Sequence, residues 1–409
     1  MSKHGACTLS LLRAERVETK RTLIRRMEYN RCAMSERPIT SALQIRVAET
    51  EQEKRAVYRL RYDIYVEEMG RYQTVADHKN RMLYEDVDEQ SRISYATLDG
   101  EVVATGRLTW GGDGPFPQRM IDQYSLAPFL AEIPREAMAV GERAMVRPHL
   151  RGSDVLLKMM TTGNKWLNEK RIQVIFGDCE PHLLNLYLSL GMRTYAEKNI
   201  NSPEAGYLIP LVTVVEDVAY LRQINSPLAS HRRDFGDDAR IPDCIRRRID
   251  DGSAVLSRLH TAPSFYWGEV QHALAELGAN RISALDGFSE EEAARCLDKS
   301  SIIECEAGDR VLKKGGMARN LFVVLDGTLE VRDGDAVIAV LSPGDVFGEM
   351  AFLLERPRSR DVYAATDGVR ILSLSEAQLR KMISSDPGIA AWLLLNISKM
   401  LCLRILEQR

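Results

Sequence analysis

The chain lacks the features that mark several whole classes of protein. Its seven cysteines, Cys7, Cys32, Cys179, Cys244, Cys296, Cys305 and Cys402, form no CxxC pair and are odd in number. That pattern argues against a disulfide framework or a structural zinc site, implies no bound metal, and fits a reducing cytoplasm. No run approaches the roughly 20 apolar residues that a membrane span needs. The first 30 residues hold no apolar stretch of the secretory kind. The net charge of −3 gives no reason to expect nucleic acid as the main partner. What is present is ordinary for a folded protein: 45% apolar and 28% charged residues, which excludes a mostly disordered, collagen-like or coiled-coil chain. A length of 409 residues predicts two or three domains.

Charge is unevenly spread. Residues 1–43 form a basic tail: the first 40 residues carry nine Lys/Arg against four Glu, a net +5 that leaves −8 for the rest. Leu11, Leu12, Leu23, Ile24 and Met27 give it a weak apolar stripe. A solvated tail and a helix touching a membrane surface or an acidic partner both fit. Residues 44–215 alternate strand and helix patterns. Ala56, Val57, Leu60, Ile64 and Tyr65 share a helical face that Gly70 would end, and Asp99-Gly100 between β-rich runs predicts a hairpin. Residues 216–283, charged and broken by Pro227, Pro242 and Pro263, read as a helical connector. Residues 284–409 carry Asp-Gly turns at Asp326, Asp333 and Asp367 between Val/Ile/Leu runs, which suggests a β-roll or barrel followed by an apolar helix from Ile389. The fold class expected is α+β multidomain: a mixed sheet with flanking helices, the connector, then the β-roll with helices.

The sharpest local signal is Gly344-Asp-Val-Phe-Gly348-Glu349-Met350-Ala351, with Arg358-Ser359 following. Gly348 permits close backbone approach, a short helix start at Glu349 presents free N–H groups to an anion, and Arg358 supplies a bidentate cation. A carboxylate such as Glu349 suits ribose hydroxyls. With Gly308-Asp309, Gly315-Gly316, Leu321–Leu325 and Gly327, this stretch resembles the phosphate-binding cassette of cyclic-nucleotide-binding domains. The resemblance implies that Glu349 binds the ribose 2′-hydroxyl, Arg358 the cyclic phosphate and Ser359 an extra contact. It favours cyclic AMP ahead of cyclic GMP as effector, although Ser359 does not separate the two. Arg360-Asp361 departs from the family pattern, and Asp361 is expected to compete for Arg358. Because the chain stops soon after the final helix, no helix-turn-helix is expected there and DNA is not an expected partner; that helix suits a homodimer contact or a lid.

In the N-terminal half, Val146-Arg-Pro-His-Leu-Arg151-Gly152-Ser153 reads strand, loop, helix start. An Arg-Gly turn at a helix N-terminus can hold phosphate through backbone N–H groups. The loop resembles the acyl-donor loop of the GNAT acyltransferases as far as Gly152; Asp154 and Leu156 replace the later glycines. Tyr58-Arg59-Leu-Arg61-Tyr-Asp63, the acidic cluster Glu85-Asp86-Val87-Asp88, Gly106-Arg107-Leu108 and Gly141-Glu142-Arg143 resemble the acyl-homoserine-lactone and long-chain N-acyl amino acid synthase branch, though that branch's tryptophan after the first-helix arginine has no counterpart. Asp178 to Arg193 resembles the late GNAT helix and its Leu-Gly turn.

The implied reaction is N-acyl transfer from a thioester donor, acyl carrier protein or coenzyme A, to an amine acceptor such as an amino acid. Val146, Arg151, Gly152 and Ser153 would bind the donor, and the altered loop favours acyl carrier protein. Such chemistry needs a base, support for a developing oxyanion and an acid for the thiolate. Glu142 is the base candidate, with structural pairing to Arg107 or Arg143 as the alternative; Arg143 and Arg107 carry the charge. Asp86, with Asp88, is the acceptor-orienting candidate, with a solvated loop face as the alternative, and Tyr187 is the acid candidate or a core aromatic. The functional expectation is a cytoplasmic acyltransferase of bacterial-type signalling, allosterically controlled by a cyclic nucleotide. The alternatives are a non-catalytic nucleotide-responsive binding protein, an unregulated enzyme and a cyclic-AMP-regulated protein-lysine acetyltransferase.

Overall fold

The computed structural model describes residues 43–196, 198–250, 255–257, 263–275, 283–298, 300–316, 319–354 and 356–407. The basic tail lies outside the described residues. After β1 (Gln44–Val47), Thr50 caps helix α1 (Glu51–Arg61): its hydroxyl accepts from the Glu53 amide, and the Glu53 carboxylate accepts from the Thr50 amide. The helix widens into a π-helical turn, Tyr62–Glu68, and Gly70, at φ +65°, ends it where the sequence pattern predicts. Asp99 and Gly100, both at positive φ (51° and 85°), join β2 (Ser91–Leu98) to β3 (Glu101–Trp110) in the expected hairpin.

The eight-stranded mixed sheet adds β4 (Met138–Val146), β5 (Val174–Cys179), β6 (Arg193–Thr194), β7 (Ile200–Ser202) and β8 (Gly206–Val214) in the order β1-β2-β3-β4-β5-β8-β6, with β7 paired to β8. The β4–β5 pair is parallel, and its pairing runs from Met138↔Val174 to Val140↔Phe176. Beyond that point β4 keeps its pairing with β3, and β5 with β8, so the sheet opens between β4 and β5. A bulge in β4 at the opening leaves Arg143 at φ +59°. Two short helices not foreseen from sequence, α2 (Gln118–Gln123) and Ala127–Glu132, bury Met120 and Phe129; the Phe129 ring lies 5.0 Å from Phe176. Helices α3 (Val155–Thr162) and α4 (Leu184–Leu190) follow β4 and β5.

The segment expected as a helical connector is divided between the two halves. Cys244 and Ile245, on the helix Asp243–Asp250, join the core around Phe129 and Val174. Just after it a strand, β9 (Val255–Ser257), pairs with β10 (Ser301–Cys305) of the C-terminal sheet, and Tyr266 and Val270 of α5 (Pro263–Ala275) enter the C-terminal core. A three-residue strand is too short to show a period of two, which is why the helical pattern hid it.

The C-terminal domain has two antiparallel sheets built from β9, β10, β11 (Arg310–Leu312), β12 (Asn320–Asp326), β13 (Leu329–Asp333), β14 (Ala336–Leu341), β15 (Val346–Phe347), β16 (Asp361–Ala364) and β17 (Val369–Ser375). Their orders are β15-β12-β17-β10-β9 and β11-β16-β13-β14. Gly327, Gly334 and Gly368 turn the chain at positive φ, as the Asp-Gly pairs predict. Helix α6 (Glu349–Leu354) starts at Gly348, and α7 (Pro387–Glu407) closes the domain, burying Ile389, Leu393 and Ile397 while exposing Trp392, Leu395, Ile405 and Leu406. By length and composition alone, Pro387–Leu406 is apolar enough to cross a membrane, contrary to the sequence expectation; 33% of it is buried inside the protein.

The two halves share a core in which Tyr187 and Leu188 of α4 belong to the same cluster as Ile303 and Phe322. The β7–β8 turn also docks on β11: Asn201 Oδ1 accepts from the Arg310 amide (3.1 Å), and the Glu204 carbonyl accepts from Lys313 Nζ (2.8 Å).

Candidate functional site

At the opening between β4 and β5, three arginines interleave with three carboxylates. Arg61, the last residue of α1 and 1% exposed, donates through Nη1 to both oxygens of Asp88 (2.8 Å each). Asp88 also accepts from Arg107 Nη1 (3.0 Å), and Arg107 reaches Glu85 (2.8 Å) and Glu142 (2.6 Å). Arg143 donates to Glu85 (2.9 Å) and to the Tyr72 hydroxyl (2.5 Å), and its guanidinium lies 5.3 and 4.7 Å from the Tyr65 and Tyr72 ring centres. Burial pushes the Glu85 carboxyl up, but the Arg143 and Arg107 guanidiniums outweigh it and hold it at about 2. The inward acidic residues are therefore Glu85 and Asp88. Asp86, between them, is exposed on a 3₁₀ turn (Asp86–Gln90) whose period of three puts Glu85 and Asp88 on one side.

Beside this network one phenol bridges two carboxylates. Tyr124, 1% exposed, donates to Asp178 (2.6 Å) and lies 3.3 Å from Glu142; Gln123 Nε2 also donates to Asp178 (3.2 Å). Burial raises Asp178 to about 6, against the pull of the Tyr124 hydrogen bond, and the Glu142 charge adds to the rise. A carboxyl that titrates near neutrality at the mouth of an open sheet is suited to proton transfer. Sequence reasoning missed both Tyr124 and Asp178. The available signal was an ionisable residue at the end of the buried run Ile172-Gln-Val-Ile-Phe-Gly-Asp178.

The donor-loop candidates follow from β4 at the same end of the sheet. Val146 ends the strand, Gly152 turns at φ +85°, and the Ser153 hydroxyl donates to the Leu150 carbonyl (2.6 Å). Arg151 is held by Glu68 through both Nη atoms (2.6 and 2.9 Å). Asp154 pairs with Lys158 (2.8 Å), so its charge is countered within the loop. Tyr187 is buried in the core, which pushes its hydroxyl well up and keeps it protonated. Burial likewise raises the Cys179 thiol, leaving it a packing residue.

In the C-terminal cassette Gly348 sits at φ +81°, and a Cβ there would fall 2.5 Å from Arg358 Nη1 and 2.8 Å from the Asn320 carbonyl. Arg358, 5% exposed, donates to the carbonyls of Gly348 (2.6 Å) and Asn320 (2.7 Å), while its Nε is buried with no hydrogen-bond partner among the described residues. Burial lowers its pKa to about 10, with the Glu349 and Glu180 charges opposing. Glu349 is engaged by Arg404 of α7 (3.4 Å); Met350 is exposed, Ala351 is buried, and the Ser359 hydroxyl meets Met350 Sδ (3.8 Å). The expected competition from Asp361 does not occur: Asp361 accepts from the Lys314 amide (3.0 Å), and Arg360 pairs with Asp333 (3.4 Å). A buried guanidinium with a spare donor fits an anion, and both polar residues expected to meet a nucleotide are held by internal partners. Among the described residues, no cluster of three or more His, Cys, Asp or Glu could hold a metal.

Residues 302–386 match the cyclic nucleotide-binding domain family, and the chain's C-terminal part is such a domain. The chain is similar to the cAMP-dependent protein kinase regulatory subunit of Mycosarcoma maydis, 31% identical over 29% of this chain and 24% of that one. It is also similar to a cyclic nucleotide-gated potassium channel of Mesorhizobium japonicum, 39% identical over 20% of this chain and 23% of that one. The chain spans about a quarter of the length of the first curated relatives it matches. Among solved structures, a CoA-dependent acyl-homoserine lactone synthase, BjaI, aligns over 51% of this chain and 98% of its own at 17% identity and a TM-score of 0.34.

Proposed function

We propose that the chain is an N-acyltransferase controlled by a cyclic nucleotide. One observation carries the catalytic half: the sheet opens between parallel strands β4 and β5, and Glu142 and Asp178 meet there across the Tyr124 hydroxyl. The opening gives an acyl thioester a path between strands. The donor loop from Arg151 to Ser153 lies at the same end, on the sequence pattern described above. Glu142 is tied to Arg107 (2.6 Å), so Asp178, at about 6, is the better base at neutral pH. The amine nitrogen attacks the thioester carbonyl carbon, its proton passes to Asp178, the C–S bond breaks, and the thiolate takes a proton from solvent; Tyr187, buried and held protonated, is left to packing. Arg107 and Arg143 hold the carboxylates around the acceptor, and their surplus of fixed donors is preorganised. The acceptor is an amine, with an amino acid the leading class. The donor is acyl carrier protein or coenzyme A, and the Arg151–Glu68 lock, which occupies the loop guanidinium, favours the donor carrying a single phosphate.

The regulatory half is supported by the domain match and the anion-ready Arg358. Release of free thiol from acyl carrier protein and acyl-CoA donors, with amino acid acceptors and with or without cyclic AMP or cyclic GMP, tests the whole reading. Asp178→Asn should slow thiol release by about 10²–10⁴ while the chain remains folded. Full turnover by that variant would remove Asp178 from the mechanism.

A further inference from the structure

A small cavity of about 30 Å³ lies where the two halves meet, and both line it: Arg71, Glu180 and His182 from one, Lys313, Asn320 and Arg358 from the other. It has room for about one water, far below the roughly 300–1,000 Å³ of a ligand pocket. Its lining carries three cations, Arg71, Lys313 and Arg358, and one carboxylate, Glu180; Lys313 also pairs with Glu204 just outside it (3.9 Å), which leaves an excess of one positive charge. Arg71, 7% exposed, pairs with that carboxylate (2.9 Å). Among the described residues, Arg358 has no carboxylate within ion-pair distance, and Arg358 Nε and His182 Nδ1 are buried without hydrogen-bond partners. The Glu180 carboxylate is nevertheless close enough to favour the charged form of Arg358. A buried cation with a spare donor calls for an anion.

We propose that the phosphate subsite of the nucleotide spans the domain boundary, with Arg71 as a second guanidinium for the cyclic phosphate and Glu180 as the internal anion that holds Arg71 until phosphate arrives. This rests on the cyclic-nucleotide reading of the cassette. The phosphate brings the negative charge that the cavity lacks. It competes with Glu180 for Arg71, and entry of the nucleotide parts the two surfaces, because a space of about 30 Å³ cannot hold it.

Both members of the Arg71–Glu180 pair adjoin the catalytic network. Tyr72, next to Arg71, accepts from Arg143 (2.5 Å), and its amide donates to Glu204 of the β7–β8 turn (2.7 Å). Glu180 follows Asp178 by two residues in the chain. A change of partner at Arg71 therefore acts one residue from Tyr72, which holds Arg143, and frees Glu180 two residues from Asp178.

The test is equilibrium binding of cyclic AMP and cyclic GMP to the full chain, for the wild type and for Arg358→Ala, Arg71→Gln, Arg71→Lys and Glu180→Gln. Arg71→Gln should bind roughly tenfold more weakly through loss of a charge-assisted contact, with Arg71→Lys in between. Glu180→Gln should bind roughly tenfold more tightly, because a like charge beside the phosphate is gone. If the ion pair were only a clasp between domains, both neutral variants would loosen the interface and both would bind more tightly. Arg71→Gln binding as tightly as wild type, or more so, while Arg358→Ala abolishes binding, overturns the cross-domain subsite and leaves the cassette reading intact. Arg358→Ala binding like wild type, or no binding by wild type, overturns the cassette reading and this inference with it. Melting curves of each variant separate lost binding from lost folding.

Discussion

Replacing Asp178 with Asn should make the N-terminal domain more stable and inactive at once. Burial raises the Asp178 carboxyl from an ordinary 3.8 to about 6, and a rise of that size corresponds to roughly 3 kcal/mol. Because the folded value is the higher one, the stabilising proton uptake is fully present below about pH 3.8. It is lost as pH rises through about 6. Above that the folded chain carries the cost of holding the charge in a partly buried site. Asn never ionises, and its carbonyl can still accept from Tyr124 and Gln123. The substitution should therefore recover about 1–3 kcal/mol at pH 8 and almost nothing at pH 4. For a domain of this size that is a rise in melting midpoint of roughly 2–10 °C at pH 8. Turnover should fall by about 10²–10⁴, the usual contribution of a general base. The assay is a pair of thermal melts at the two pH values beside thiol-release kinetics. A variant that melts below wild type at pH 8 would refute the account of Asp178 as a base raised by desolvation.

Three further outcomes follow from the same structure. Asp88→Asn removes the carboxylate joining Arg61 to Arg107 (2.8 and 3.0 Å) and leaves buried charge uncompensated, so denaturant melts should show a loss of about 3–5 kcal/mol; a loss under about 1 kcal/mol would mean that the network relaxes around the gap. Gly348→Ala puts a Cβ 2.5 Å from Arg358 Nη1 at φ +81°, so it should lower β-roll stability by about 1–3 kcal/mol and abolish nucleotide binding in a calorimetric titration; unchanged affinity would show that the cassette backbone need not be left-handed there. Arg404→Ala frees Glu349 from α7 (3.4 Å), and nucleotide affinity should rise by roughly two- to fivefold, the value of one partly exposed ion pair; weaker binding would instead make Arg404 a ligand contact.

Local structure was legible where chemistry is local. Asp99-Gly100, the three later Asp-Gly turns and Gly70 each mark a positive φ that few other residues accept, and each ends or turns an element where expected. The cassette was legible for the same reason, since Gly348, Glu349 and Arg358 lie within one short stretch. Of the acidic pair Asp86 and Asp88, only Asp88 faces inward, because the 3₁₀ turn puts Glu85 and Asp88, not Asp86, toward Arg107. Tyr124 and Asp178 stand 54 residues apart in sequence, and nothing local reveals that one hydroxyl would bridge two carboxylates. The division of the connector turned on the strand Val255–Ser257, and the meeting of Arg71 and Glu180 with Arg358 on the packing of the two halves. Both are long-range features without a periodic signal.

The most direct test of the central claim is the rate of thiol release from an acyl thioester with an amino acid acceptor, measured against increasing cyclic AMP for wild type and Arg358→Ala. Both should turn over without nucleotide, and the wild-type rate should change with cyclic AMP by about 5- to 150-fold, the range of one to three kcal/mol of coupling. The Arg358→Ala rate should not respond. Equal responses from the two proteins, or no amide product under any condition, would contradict the account.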